Sequence, residues 1–576
     1  MGIKEKYIEK IKDMVFKSLQ TQGYEDSVII YEIPPSREMG DLAFPMFKYA
    51  STLKKKPFEI AQKIKTDIEN DPLFEKIEIK GPYLNVYFNK TTSFKDIIPE
   101  ILSKKECFGS EENNGKKVIV EFSCPNTNKP LHLGHCRNNV LGDSVSNILK
   151  FRGYDVVKLN LINDRGIHIC KSMIAYKLFG NGTTPEKENK KSDHFVGDYY
   201  VKFAKESGPD KSLESQAQEM LVLWEKKDTE TVDLWKKMNK WAIDGIMETY
   251  RRMEIEFNAF EYESINYLYG KELIAAGLEK NIFFKKDDGS VWIDNEDVGL
   301  DKKAVLRSDG TSIYITQDIG TAVKRHKNYG FEKMIYVVAS EQNYHFKTLF
   351  ATLKKLGFDW SDNCYHLSYG MVNLPDGRMK SREGTVVDAD NLLDMLSDMA
   401  KEEIEQKQRG LSDEEKDDIS NKVSLAALRY YLLNFSSVKD VTFSPEKSIS
   451  FDGNTGPYLQ YTTARINSLL RKAGDYERAC VTDNEYEFNP DEWNVISQLL
   501  NFEESVERAC NLYEPVEVCS YLYDLARLYN KMYHDNPIIT ADTDLSKNIR
   551  LSISEATLVV LKNGLNLLGI HSLEKM

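Results

Sequence analysis

No Cys-x-x-Cys pair occurs among the eight cysteines, which stand singly at Cys107, Cys124, Cys136, Cys170, Cys364, Cys480, Cys510 and Cys519. That scatter gives neither the spacing of a structural zinc site nor a disulfide framework, and it suits a reducing compartment. No run of eighteen apolar residues occurs, and residues 1–20 alternate charged with apolar side chains, so neither a membrane span nor a secretory leader is expected. Positive charge is not in excess: 77 Lys and Arg against 90 Asp and Glu leave a formal −13, which argues against a surface coated for nonspecific polyanion binding. Any nucleic acid must therefore meet local basic patches. Repeats are absent apart from an ERAC tetrapeptide that occurs twice. A soluble, cytoplasmic, monomeric protein is expected.

What is present is enough chain for about three folded units, with 41% hydrophobic residues over 576 positions. Residues 1–110 give helical periodicity (IKEKYIEKIKDMVFKSL), a Pro-Pro turn, then strand-like alternation (KIEIKGPYLNVYFN), which reads as an α+β domain. The polar run EENNGKK at 111–117 separates it from the second unit. That unit opens with a βαβ pattern: an apolar strand at 117–123 (KVIVEFS), helical spacing from Gly134, and a second strand at 155–161. Strand candidates KMIYVVAS and HLSYGMV, with a helix at 344–356 between them, continue the alternation. These define an α/β Rossmann-type domain over about 115–400, with ligands at the carboxyl ends of its parallel strands. A Lys/Glu-rich stretch at about 180–300 reads as a largely helical insertion, and 401–576 reads as all-α without clear strands.

Chemistry concentrates in EFSCPNTNKPLHLGH at 121–135, where the first strand turns into its helix. Gly134 allows close approach of a phosphate, a helix N-terminus offers unpaired N–H groups, and His132 and His135 can donate to a phosphate whose charge builds in a transition state. Taken alone, an H-x-x-H pair equally fits metal ligation or a polar surface. Its place at a strand-to-helix turn favours α-phosphate chemistry.

HLGH resembles the HIGH signature of class I aminoacyl-tRNA synthetases. The flanking EFSCPNTNKP, and the blocks SDHFVGDYYVKF, YITQDIGTAVKRH, EQNYHFKTLF, GNTGPYLQYTTARI and VLKNGLNLLGI in this order, resemble the arginyl-tRNA synthetases over essentially the whole chain. The resemblance implies ATP as substrate with Mg2+ alongside it, L-arginine, and tRNA(Arg), with arginine joined to the 2′-hydroxyl of the terminal adenosine. It also implies that arginine activation waits for tRNA. The family's second signature, KMSKS, corresponds to RMKSREG at 378–384, but Ser381 stands where the second lysine is usual. The cations implied for the triphosphate are then Lys129, Lys380 and Arg382, with Met379 in the same loop.

By the same resemblance, Glu263 and Asp318 face the guanidinium with Tyr314 nearby, Asn126 and Gln342 hold the amino-acid end, and Glu121 supports them. A planar fork of five donors calls for such a carboxylate pair, although any single acid read in isolation is more often a surface charge. Cys124 departs from the serine that many relatives carry. Tyr83 and Asn85 are implied as tRNA-elbow contacts in the N-terminal domain, though packing explains Tyr83 equally well. Gln460 and Tyr461 are implied in a helical, DALR-type anticodon-binding domain. Two rivals remain at this level: another HIGH-type enzyme such as a cysteinyl-tRNA synthetase or small-molecule ligase, and a catalytically silent RNA-binding paralogue. The first lacks its zinc spacing here, and intact HLGH speaks against the second.

Overall fold

The computed structural model describes residues 2–208, 211–375, 387–407, 412–479, 481–482 and 485–575. Met379, Lys380 and Arg382 lie outside the described residues.

At the N-terminus, β1 (Leu42–Pro45), β2 (Phe74–Lys80) and β3 (Tyr83–Phe88) form an antiparallel sheet in the order β1-β3-β2. Helices Ile3–Thr21, Pro57–Ile68 and Lys90–Lys104 accompany it. In β3 the alternate residues Leu84, Val86 and Phe88 are buried, as period-two alternation requires.

The large sheet contains β4 (Lys117–Glu121), β5 (Asp155–Ile162) and β6 (Ala259–Tyr262). Next along the chain is a small antiparallel sheet of β7 (Phe283–Lys285), β8 (Val291–Ile293) and β9 (Lys303–Leu306). The last two strands of the large sheet are β10 (Lys333–Ala339) and β11 (Cys364–Tyr369). Its order is β11-β10-β4-β5-β6, and every neighbouring pair is parallel. Strand order reverses between β4 and β10, so a crevice for ligand opens at their carboxyl ends.

The stretch 180–300 is largely helical, through helices Ser192–Glu206, Ser212–Glu225 and Thr229–Met253, and it also supplies β6, which extends the large sheet, and contains β7 and β8. Strands of three or four residues are too short to show a period. One expectation needs correction. In the helical C-terminal part, β13 (Val441–Thr442) pairs parallel with β12 (Val372–Asn373), a short splice into the α/β part.

One helix, Leu133–Phe151, holds the large sheet against the C-terminal helices. Its Arg137 donates to the carbonyls of Gly370 at 2.6 Å and Ser437 at 3.1 Å. Its Asp143 accepts from Arg429 of helix Asp413–Leu433 at 2.8 Å and from Lys158 at 2.6 Å. Arg429 is 1% exposed and also donates to the carbonyl of Met253 at 2.8 Å. The N-terminal part docks on the same helices, with Arg37 donating to Asn494 O at 2.8 Å and Gln498 Oε1 at 3.1 Å. Breaking a buried ion pair from one side leaves an uncompensated charge, so Arg429→Met is expected to lower unfolding free energy by roughly 3–5 kcal/mol. Urea titration checks this, and a loss under about 1 kcal/mol would contradict it.

Candidate active site

The loop leaving β4 is pinned on both sides before it reaches the signature. Ser123 and Cys124 both adopt left-handed backbone, φ +73° and +47°, which is uncommon for residues with a Cβ. Hydrogen bonds hold that turn: Ser123 Oγ meets Tyr250 Oη at 2.6 Å, and Asn163 Nδ2 donates to Cys124 O at 2.8 Å. Burial pushes the Cys124 thiol far up, so it stays protonated and inert.

HLGH itself is a reciprocal helix cap. Gly134 N donates to His132 Nδ1 at 3.1 Å, and His132 N donates to His135 Nδ1 at 3.1 Å, which satisfies two N–H groups a helix start leaves orphaned. The i,i+3 spacing is what such reciprocity requires. A Cβ at Gly134 would stand 3.0 Å from His132 Cε1 and 3.1 Å from its Nδ1, so the glycine lets the ring fold back. Because each Nδ1 accepts, each ring carries its proton on Nε2, and the two rings lie 3.9 Å apart between centroids. Burial, then the Lys129 charge, pushes His132 down to about 3 despite Asp388; burial and the charges of His132 and Lys129 push His135 well down too. At neutral pH both are neutral donors.

Lys129 precedes this cap. Burial lowers its pKa, and it has no hydrogen-bond or ion-pair partner among the described residues. A cavity of about 630 Å3 opens beside Lys129 and His132 and is continued by His194, Tyr200, Lys202 and Asp388.

The acids divide into two sets. Glu121 is buried and ion-paired with Arg325, whose Nε also donates to Glu261 Oε2 at 2.9 Å. The resemblance puts Glu121 with the arginine-binding residues; here its carboxylate is already engaged by the protein's own arginine, under the crevice. Glu263 opens the short helix after β6. Burial first, then the like charges of Asp164 and Asp318 against the pull of Arg165, push it up to about 7. The structure thus brings Glu263 and Asp318 into mutual electrostatic range. Asp318 lies one turn after Tyr314, which is 76% exposed, and faces His345 Nε2 at 2.6 Å. Asn126 and Gln342 are exposed at the ends of β4 and β10, and Asn126 is bridged to Asn163.

Sequence reasoning missed Asp164, Arg165 and His345. Asp164 accepts from Ser264 N at 2.8 Å and Ser264 Oγ at 2.6 Å, fixing the turn that carries Glu263. NDRG directly after β5 marked the first two, since ligand groups gather at strand ends. Two tRNA-facing expectations do not fit the geometry. Asn85 is 3% exposed, covered on the polar face of β3. Gln460 is fully buried and donates to Lys422 O at 3.2 Å and His571 O at 2.8 Å, so it is a packing residue. Tyr83 is half-buried against Phe47, and Tyr461 is exposed with the Arg465 guanidinium 4.7 Å from its ring centroid.

A doubly wound parallel sheet with HLGH capping the helix after its first strand defines a class I aminoacyl-tRNA synthetase. The pattern described as tRNA synthetases class I (R), catalytic domain, matches residues 97–444; an arginyl tRNA synthetase N terminal domain matches 3–88; and a DALR anticodon binding domain matches 459–576. The arginine–tRNA ligase of Treponema denticola is 50% identical over 558 residues, covering 95% of this chain and 94% of its own length. That of Bacteroides thetaiotaomicron is 43% identical with both chains fully covered. The Thermus thermophilus arginyl-tRNA synthetase structure superposes with a TM-score of 0.83 at 26% identity, over 99% of this chain and 100% of that one. The chain belongs to the arginyl-tRNA synthetases. Its reaction is the two-step attachment of arginine to tRNA at the expense of ATP. Among the described residues no helix is long and apolar enough to cross a membrane.

The tautomers can be checked directly: 15N NMR of histidine-labelled protein at pH 6 is expected to show bare Nδ1 and protonated Nε2 on His132 and His135. An imidazolium in either ring would contradict the cap.

Proposed function

We propose that arginine's carboxylate attacks the α-phosphate of ATP over the first turn of helix Leu133–Phe151, with the Nε2–H groups of His132 and His135 donating to the phosphate as negative charge builds. The support is that cap: it occupies both Nδ1 atoms, so each ring, kept neutral chiefly by burial, has its one remaining donor at Nε2. Preorganised donors in a site partly closed to water stabilise developing charge without reorganising at the moment of reaction. Gly134 keeps the approach open, and Lys129, a half-buried cation without a partner among the described residues, neutralises the triphosphate with Lys380 and Arg382, Met379 lying beside Lys380 in sequence. Mg2+ enters as part of the ATP substrate, held by its phosphates. Glu263 and Asp318 take the guanidinium, with Tyr314 nearby and Asn126 and Gln342 at the amino-acid end. Transfer then proceeds to the 2′-hydroxyl of the terminal adenosine. Tyr83 and Tyr461 offer rings for unpaired tRNA bases. We place domain borders near residues 110 and 400, and read the protein as a cytoplasmic monomer without structural zinc, whose activation of arginine rises when tRNA is bound.

His132→Ala and His135→Ala are each expected to cut arginine-dependent ATP–pyrophosphate exchange about 100-fold. Lys129→Ala should lose at least as much kcat as Lys380→Ala, because charge over the leaving pyrophosphate is what both supply. Wild-type rates in these variants would sink the assignment.

The pH dependence of arginine binding is set by Glu263. A guanidinium binds its ionised form, which a value near 7 makes scarce below neutrality and dominant above it. Arginine affinity is therefore expected to rise roughly tenfold from pH 6 to pH 8. Calorimetry measures this, and Glu263→Gln should bind weakly with that rise removed. A flat wild-type profile would show that Glu263 does not meet the substrate.

A further inference from the structure

Helix Ser192–Glu206, from the insertion after β5, touches the signature region at two points. The first is a steric contact. A Cβ at Gly197 would stand 2.8 Å from Pro130 Cδ and 3.6 Å from Lys129 Cα, so only a glycine lets the helix lie this close to the backbone carrying Lys129. A second glycine fixes the start of the helix from behind: a Cβ at Gly245, in helix Thr229–Met253, would meet Asp193 Oδ1 at 2.4 Å and Asp193 N at 2.6 Å.

The second point is a charged hub. Lys191 Nζ sits 2.9 Å from Asp193 Oδ2, 2.9 Å from Asp390 Oδ2 and 2.7 Å from Thr249 Oγ1. His194 Nε2 lies 3.2 Å from Asp388 Oδ2 and 3.5 Å from Asp390 Oδ2, and Arg252 donates to Asp390 Oδ1 at 2.9 Å. Burial works against the His194 cation, but Asp388, Asp390 and Asp193 outweigh it and raise it to about 10. Three cations therefore face Asp193, Asp388 and Asp390. Although Asp193, His194 and Asp390 stand close enough to share a metal ion, Lys191 and Arg252 already supply the positive charge.

The hub is joined to the signature by main chain. Leu133 N donates to Val387 O at 3.1 Å, Ala389 N donates to Leu131 O at 3.0 Å, and His132 is bridged antiparallel to Asp388. Lys129 has no described side-chain partner, so its backbone is what places it, and that backbone rests on Gly197. His132 is placed by its cap and by the segment 387–389, whose Asp388 bridges to it and faces the hub.

We propose that Gly197, Lys191 and His194 are positioning residues for adenylate formation: through Pro130 on one side and through Asp388 and Asp390 on the other, helix Ser192–Glu206 sets the separation between Lys129 and the two signature imidazoles. This rests on the reading that Lys129 and His132 act on ATP. Misplacing a catalytic group by even 1 Å is costly, whereas the carboxylates for the guanidinium stand on other elements, Glu263 after β6 and Asp318 in helix Tyr314–Tyr329.

The test is arginine-dependent ATP–pyrophosphate exchange by the full chain with tRNA(Arg) present, alongside thermal unfolding. Gly197→Ala and Lys191→Met are each expected to lose roughly tenfold or more in kcat, with a raised KM for ATP and the KM for arginine within about twofold. Lys191→Arg, which keeps a cation between Asp193 and Asp390, should recover most of that loss. Wild-type kcat in folded Gly197→Ala or Lys191→Met, an equal rise in the KM for arginine, or a Lys191→Arg no better than Lys191→Met would overturn the proposal. Should Gly197→Ala not fold, the Lys191 pair decides alone. Lys129→Ala separates this proposal from the reading beneath it: full exchange in that variant sinks the reading of the site, while a dead Lys129→Ala beside a fully active Gly197→Ala sinks only the positioning role.

Discussion

Two ring nitrogens, Nδ1 of His132 and Nδ1 of His135, accept the first orphaned N–H groups of helix Leu133–Phe151, and the proposed catalytic centre is built on that exchange. An aspartate would cap as well but leave no donor over. An imidazole accepts on one nitrogen and donates from the other, so the side chain that ends the helix also presents an N–H beyond it. Burial then keeps each ring neutral, which preserves the acceptor the cap needs. A protonated ring would lose its cap and the donor geometry together.

The same economy of charge separates the acids paired inside the fold from those proposed to meet substrate. Glu121 and Asp143 are buried against Arg325 and Arg429, with further hydrogen bonds around each pair, and these hold strand ends and helix in register. Glu263 has no such partner among the described residues: Arg165 lowers its pKa only in part, and its carboxyl stays high. A pocket for a cation has to be short of one. Arg165 itself is engaged elsewhere, on Glu225 at 3.0 Å and on the Tyr267 ring 4.0 Å from its guanidinium carbon. The region around Glu263 and Asp318 is thus left with the unbalanced negative charge that a guanidinium would relieve.

How much of this could be read from the chain depends on how far each interaction reaches. β4, β5, β10 and β11 are short apolar runs flanked by turns, and all four were legible, as was the helix between the last two. β6 was not, since AFEY shows no period and is a strand only because β5 lies beside it. HLGH was legible as a motif, and its capping role is local enough to follow from i,i+3 spacing. The hub of Lys191, His194, Arg252 and Asp390 was invisible, being assembled from positions up to 199 residues apart. For Gln460 and Asn85, implied as tRNA contacts by resemblance, the chain could not show that both are buried, because burial is decided by what packs across them.

The placement of the domain contacts gives the signature helix a second duty. Arg137, Asp143 and Ser144 all belong to it, and each binds the C-terminal part or the splice leading there: Arg137 the carbonyls of Gly370 and Ser437, Asp143 the guanidinium of Arg429, Ser144 the carbonyl of Leu567 at 3.0 Å. The helix is stiff along its axis, and its first turn carries both imidazoles. The N-terminal part is braced on those same C-terminal helices through Arg37, and Phe108 stacks on Phe502 with ring centroids 5.8 Å apart. The helical domain is therefore joined by direct side-chain contacts to the rod whose first turn carries both imidazoles. On the proposed reading of those imidazoles, a tilt of that domain would bear on reaction geometry, which tolerates little displacement.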